Sequence, residues 1–159
     1  MTTIRYIKGD ATSPQASGTK MICHILSDAG GWGKGFVLAI SKRWKQPEKE
    51  FREWYKNRNE NDFALGAVQF VQTQDDIWVA NIVGQHGLRV SRKNGPPIRY
   101  DATEQGLAKI AGKAKELQAS VHMPRIGCGL AGGKWEHIEP LIEKTLCASG
   151  IDVTVYDFG

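Results

Sequence analysis

Met21–Gly35 reads MICHILSDAGGWGKG, and the order of its parts decides the architecture. MICHIL is apolar almost without interruption, the composition of a strand buried inside a sheet. SDAGGWGKG then breaks the run with glycines at 30, 31, 33 and 35. Phe36, Val37, Ile40 and Trp44 follow at helical spacing, so Gly35–Trp44 is expected to be a helix. A buried strand, a glycine-rich turn and a helix form the opening of an α/β unit.

The same switching of period continues outward. Ile4–Ile7 and Lys20–Leu26 read as strands. Pro47 suits the first turn of a second helix; Glu48 and Glu50 near its start and Lys56 and Arg58 near its end complement the helix dipole. Phe51, Trp54 and Tyr55 form its core side. Ala67–Gln72 and Ile77–Val83 are two β-rich runs joined as a hairpin across Thr73–Asp76. The connection Gly84–Tyr100 carries Arg89, Arg92, Lys93 and Asn94-Gly95-Pro96-Pro97, and a loop of such length in a compact domain is expected to be functional or mobile. Asp101 and Glu104 suggest a capping box for a helix with Leu107, Ile110, Ala111, Ala114 and Leu117 on one side. Val121–Pro124 reads as a short strand. Glu136–Ala148 reads as a helix with Pro140 in about its first turn and Gly150 ending it, and Ile151–Tyr156 as the last strand. The fold class is therefore α/β.

With 159 residues, 41% hydrophobic and 24% charged, the chain is expected to be a single domain, 1–159. Cys23, Cys128 and Cys147 are odd in number and lack C-x-x-C spacing, which argues against a disulfide framework or zinc site and for reduced thiols in the cytoplasm. MTTIRYIKGD has no apolar core of a signal peptide, and no run approaches the roughly 18 apolar residues of a membrane span, so no membrane partner is expected. The net charge of +4 is mild: it favours a phosphorylated small molecule and is a weak sign of nucleic acid.

A second glycine-rich loop, Gly127-Cys128-Gly129-Leu130-Ala131-Gly132-Gly133, also follows a strand and precedes a helix. Ligands of open α/β sheets bind beyond the carboxyl ends of strands, where both loops lie. Glycine lets backbone N–H groups approach an anion with no Cβ in the way. Neither loop matches G-x-x-x-x-G-K-[ST] or G-x-G-x-x-G with its acidic partner. Either alone reads more readily as a tight strand-to-helix turn, whereas two at equivalent strand ends favour a phosphate cradle.

Lys8-Gly9-Asp10-Ala11-Thr12, His24 through Gly35, MPRIGCGL (Met123–Leu130) with Trp135-Glu136, and VTVYDF (Val153–Phe158) together resemble the macrodomain family over essentially the whole chain. The MPRIGCGL…WE block looks like the branch holding terminal ADP-ribose protein glycohydrolase. The GGWGKG loop with AISKRW and Pro47 looks like yeast-type ADP-ribose 1''-phosphate phosphatase. The resemblance implies a three-layer α/β fold with a mixed, mostly parallel sheet and helices on both of its faces, and ADP-ribose or a 1''-derivative as ligand, with no metal or cofactor. Asp10, beside Ala11, would accept from the adenine amino group, or simply cap a turn. Phe158 would stack on adenine, or plug the core. Gly31, Trp32, Gly33 and Gly35 would face the distal ribose. Gly127, Cys128, Gly129, Leu130, Ala131 and Gly132 would cradle the diphosphate; Cys128 also reads as a thiolate nucleophile, with pocket lining favoured.

The catalytic pattern departs from the glycohydrolase branch. Its attacking lysine has no counterpart in Val83-Gly84-Gln85-His86, and its acidic residue after GCGL is Ala131 here. The asparagine of many hydrolytic macrodomains aligns with Ser27. The remaining catalytic candidates are His24, Ser27 and His86, near Asp28 and Gln85. His24 comes first because it lies in the matched segment, although at the end of an apolar strand a structural histidine is as natural as a catalyst; His86 stands at a loop mouth suited to acid–base work, or is a partly exposed loop residue. The expected function is hydrolysis of ADP-ribose 1''-phosphate. The alternatives are a hydrolase removing ADP-ribose from protein or nucleic acid, and a reader that binds ADP-ribose without turnover.

Overall fold

The computed structural model describes residues 1–88 and 95–158. Its strands are β1 (Ile4–Lys8), β2 (Lys20–Ser27), β3 (Val68–Gln74), β4 (Ile77–Gln85), β5 (Ser120–Met123) and β6 (Val153–Asp157). The helices are α1 (Phe36–Arg43), α2 (Gln46–Lys56), α3 (Tyr100–Leu117) and α4 (Trp135–Ile142). The strands form one six-stranded sheet in the order β1-β6-β5-β2-β4-β3. Every pairing is parallel except β3 with β4, the expected hairpin.

Strand alternation divides the core into two layers. Met21 and Cys23 of β2 share one face with Ala80, Ile82, Val121, Met123, Val153 and Val155, packed under Leu107, Ile110 and Ile138. Ile22 and Leu26 point the other way, with Val79 and Val83, toward Val37, Ile40 and Phe51. Helices thus cover both faces in three layers, and the central position of β2 explains why MICHIL carries almost no polar residue. Phe51 anchors α2 and is fully buried, so Phe51→Ala should cost about 3–5 kcal/mol. Trp54 and Tyr55 beside it are only half-buried.

Two expectations are corrected. No capping box forms at Asp101 and Glu104: α3 starts at Tyr100, and no side chain caps it. Arg99 N donates to Gly84 O at 2.9 Å and Ile98 N to Ala131 O at 3.0 Å, so tertiary bonds set the entry to this helix. The Thr103 hydroxyl donates to Arg99 O at 2.8 Å, while Glu104 pairs with Lys144 at 2.8 Å. Nor does Pro140 sit in the first turn of its helix. It lies inside α4, and a π-helical stretch, Glu143–Cys147, follows. Gly150, at φ +80°, ends this segment as expected, and Ile151 N is spent on Leu146 O at 3.1 Å. That bond is why β6 begins at Val153 rather than Ile151.

The ends of the Gly84–Tyr100 connection bind each other: Gln85 bridges Ile98, and His86 N donates to Pro97 O at 2.8 Å. Arg89, Arg92, Lys93 and Asn94 lie outside the described residues. Cys23, Cys128 and Cys147 are free thiols. Among the described residues no helix is long and apolar enough to cross a membrane.

Candidate functional site

The chain leaves β2 toward α1 on one face and leaves β5 toward α4 on the other, so these neighbouring strands form a switch point. A pocket of about 430 Å³ opens there, walled by residues of β2, of both glycine loops and of the end of β4. Gly31, Trp32, Gly33 and Gly35 line one side, and Gly127, Gly129, Leu130 and Ala131 the other. Cys128 and Gly132 belong to the second loop but not to the wall. Cys128 Sγ turns toward Ile126 O at 3.5 Å, and burial pushes its thiol pKa up, which opposes thiolate chemistry.

The glycines separate by physical role. A Cβ on Gly30 would sit 2.3 Å from the Tyr55 ring, so packing requires glycine there, and Gly127, 2.7 Å from Ile98 Cδ1 at its Cβ position, is held to glycine by its φ of +74°. Gly31 and Gly129 differ: each lies outside the left-handed region and has nothing within 4 Å of the Cβ position. Both line the pocket. The fold alone does not call for glycine at either place.

Trp32 fixes the first loop. It is buried, and its Nε1 donates to Ser41 Oγ at 2.8 Å and to Val37 O at 3.2 Å, tying the loop to α1. His24, 2% exposed, forms part of the pocket wall between Trp32 and Phe36, with ring centroids 5.3 and 5.8 Å away. Its Nε2 lies 2.6 Å from Asn81 Oδ1. Burial holds its pKa down at about 4, so the ring is neutral at pH 7.

The Ser27 hydroxyl donates to Gly87 O at 2.7 Å and accepts from Ala29 N at 3.0 Å. Gln85 Nε2 donates to the same Gly87 carbonyl at 2.9 Å. Asp28 receives Gly87 N at 3.0 Å on Oδ1 and faces His86 Nδ1 at 2.6 Å through Oδ2. These bonds lock the ends of β2 and β4 together. Ser27 and Gln85 line the pocket, whereas the half-exposed His86 stands beside it with Asp28.

Asp10, Ala11 and Phe158 are at the carboxyl ends of β1 and β6 and are not among the wall residues. Asp10 Oδ1 does cap a turn, accepting from Thr12 N at 2.8 Å and Thr12 Oγ at 2.7 Å. Ala11 is buried. Phe158 is 85% exposed and so is no core plug. Asp157 before it is clamped by Arg125 at 2.6 and 3.0 Å, and that guanidinium stacks on Tyr6 and Trp135 and lines the pocket.

Sequence reasoning missed Asn81 and Arg125. Asn81 had one visible signal, a lone amide within the apolar run WVANIV. A second, larger groove of about 1040 Å³ lies at the amino ends of the strands, lined by residues such as Arg5, Lys115, Gln118 and His122. Both ring nitrogens of His122 are engaged there, with Ser120 Oγ at 2.8 Å and Tyr156 Oη at 2.7 Å. Among the described residues no cluster of His, Cys, Asp or Glu is arranged to hold a metal ion.

No family model matches the chain. It is 25% identical, over 97% of its length and 98% of the relative's, to an ADP-ribose 1''-phosphate phosphatase of Lodderomyces elongisporus. It is 35% identical over 98% of its length to Chromodomain-helicase-DNA-binding protein 1-like of Danio rerio, but spans only 16% of that relative. A solved macrodomain protein from Streptomyces coelicolor superposes with a TM-score of 0.88 at 55% identity, covering 98% of this chain and 99% of the other. That similarity spans the sheet, both glycine loops and the helices on either face, and the chain belongs to the macrodomain family.

Proposed function

We propose that the pocket binds ADP-ribose and that the protein hydrolyses a group from its 1'' position, with phosphate the first candidate. The observation that carries this reading is the pair Gly31 and Gly129. They are bare of neighbours and face one pocket from two loops, as a cradle approached by a ligand requires. The similarity to a relative named ADP-ribose 1''-phosphate phosphatase supports phosphate as the group removed.

In the proposed reaction a water attacks phosphorus, and the bond to the ribose 1''-oxygen breaks. The products are ADP-ribose and inorganic phosphate. The Asp28–His86 pair, beside the pocket, takes the water's proton and passes it to the departing 1''-oxygen. A carboxylate only accepts, so His86 donates Nδ1–H to Asp28, and Nε2 is the atom assigned the proton transfer. Ser27 holds the turn that positions this pair. Asp10 and Phe158 complete the adenine end from β1 and β6, a placement that rests on the resemblance.

A second reading, release of ADP-ribose from protein or nucleic acid, is favoured by the open mouth. Leu88 and Leu130 line the pocket yet are 61% and 85% exposed, leaving apolar surface beside a larger substituent. The test is turnover of ADP-ribose 1''-phosphate, an ADP-ribosylated protein and an ADP-ribosylated oligonucleotide, each followed by product release. Phosphate from the first supports the main reading. Free ADP-ribose from either of the others alone supports the second. No product from any of them leaves a binding module and contradicts hydrolysis.

A further inference from the structure

We propose that Asn81 is a positioning residue that fixes His24 as a neutral hydrogen-bond acceptor in the pocket wall, so that a bound ligand is gripped through a hydroxyl donated to His24 Nδ1. This rests on the ADP-ribose reading for the identity of the ligand, but not for the state of the ring.

The register pairs His24 of β2 with Asn81 of β4 across the sheet. Asn81 is fully buried, and its Nδ2 donates to Pro47 O at 3.3 Å and Gln69 Oε1 at 3.1 Å. Gln69 is oriented in turn, because its Nε2 donates to Glu50 O at 3.0 Å. Both partners of Asn81 Nδ2 are acceptors, so the amide cannot flip without leaving them unpaired. Oδ1 therefore faces His24, and an amide oxygen only accepts. The proton of the neutral imidazole must sit on Nε2, 2.6 Å away.

Nδ1 then carries a lone pair. Among the described residues it is the one buried side-chain nitrogen or oxygen that lacks a hydrogen-bond partner. Native structures rarely leave such a group unmet, and each exception points to strain, a water or a ligand. Trp32 and Phe36 pack their rings around the imidazole, and neither turns a donor to it, since Trp32 Nε1 is spent on Ser41 and Val37. His24 contributes to the wall of the pocket that both glycine loops enclose, with Nδ1 itself almost closed to solvent. A polyhydroxylated ligand supplies the missing donor, and the distal ribose of ADP-ribose is such a group. No charged side chain acts on the ring from β4, from α1 or from the first loop; burial and Asn81 alone set its protonation. His24 is thereby an orienting acceptor at neutral pH rather than an acid.

The test uses protein labelled with ¹⁵N histidine and long-range ¹H–¹⁵N correlation spectra. Ligand-free wild type should show His24 as the Nε2–H tautomer between pH 5.5 and 8. Saturation with ADP-ribose should shift Nδ1 in the direction of an acceptor gaining a hydrogen bond. The opposite tautomer, or an unmoved Nδ1 with ligand demonstrably bound, overturns the proposal. If ADP-ribose does not bind at all, the functional reading fails while the free-protein tautomer still decides the role of Asn81. Asn81→Asp adds a second readout, because a carboxylate keeps Nε2–H and also favours the imidazolium. In this variant His24 should keep its proton on Nε2 and take up the second proton at a higher pH than in wild type, read from the same ¹⁵N spectra. A His24 whose tautomer and titration match wild type would mark Asn81 as merely structural; if the variant fails to fold, the wild-type spectra decide alone.

Discussion

His86 Nδ1 stands 2.6 Å from Asp28 Oδ2, joining the residue after β4 to the residue after β2 beside the pocket. In the proposed reaction His86 Nε2 takes the proton, whereas His24 is buried and its pKa is held down at about 4. His86→Ala and Asp28→Asn should each lower turnover of ADP-ribose 1''-phosphate by about 10²–10⁴-fold. ADP-ribose affinity should stay within a few-fold. Single-turnover kinetics and calorimetry check the two effects separately, and unchanged turnover in both variants removes the pair from the chemistry.

Gly31→Val and Gly129→Val should fold as wild type does, because nothing lies within 4 Å of either Cβ position. Each should nevertheless abolish ligand binding by filling the approach to the backbone. Equal melting temperatures with lost binding are expected. Normal binding in both variants would show that the ligand does not use these loops.

Stability should depend on pH through two buried histidines. His24 and His122 are both held at about pKa 4 against an ordinary 6.5, His24 by burial and His122 by burial and then by Lys20. Between those values the unfolded chain binds more protons than the folded one, so their contribution is full above pH 6.5 and lost as pH falls toward 4. Asp76 and Asp157, held below the usual carboxylate range by hydrogen bonds from Lys20 and Arg125, extend the loss to lower pH. Melting temperature should be flat from pH 8 to about 6.5 and then fall. A flat profile down to pH 4.5 would contradict the burial of these rings.

Phe158→Ala and Asp10→Ala probe the adenine end. Phe158 is 85% exposed, so its loss should leave stability unchanged while weakening ADP-ribose. Asp10→Ala should weaken binding by about 1–3 kcal/mol. It should also cost some stability, because Asp10 Oδ1 holds both Thr12 N and Thr12 Oγ. Comparing melting shifts with calorimetric affinities tells the two roles apart.

Much of this was legible in the residues. MICHIL could be placed at the sheet centre because only a strand covered on both faces tolerates so continuous an apolar run. Both glycine loops were readable as strand-end turns, but not which glycines serve packing and which face the pocket. That distinction needs Tyr55 against Gly30, a contact remote in sequence. The capping box at Asp101 failed because Gly84 O and Ala131 O, both distant along the chain, set the helix start. Asn81 was invisible as a partner of His24, since cross-strand register between non-consecutive strands leaves no local trace. The Arg125–Asp157 clamp was missed for the same reason.

Titration of the purified protein with ADP-ribose by isothermal calorimetry, with AMP as comparison, tests the central claim most directly. A dissociation constant on the order of micromolar, about 8 kcal/mol, is expected without added metal. AMP should bind much more weakly, because it lacks the distal ribose that would face Gly31–Gly35. No detectable heat or competition at millimolar ADP-ribose, from protein that melts cooperatively, would contradict the account.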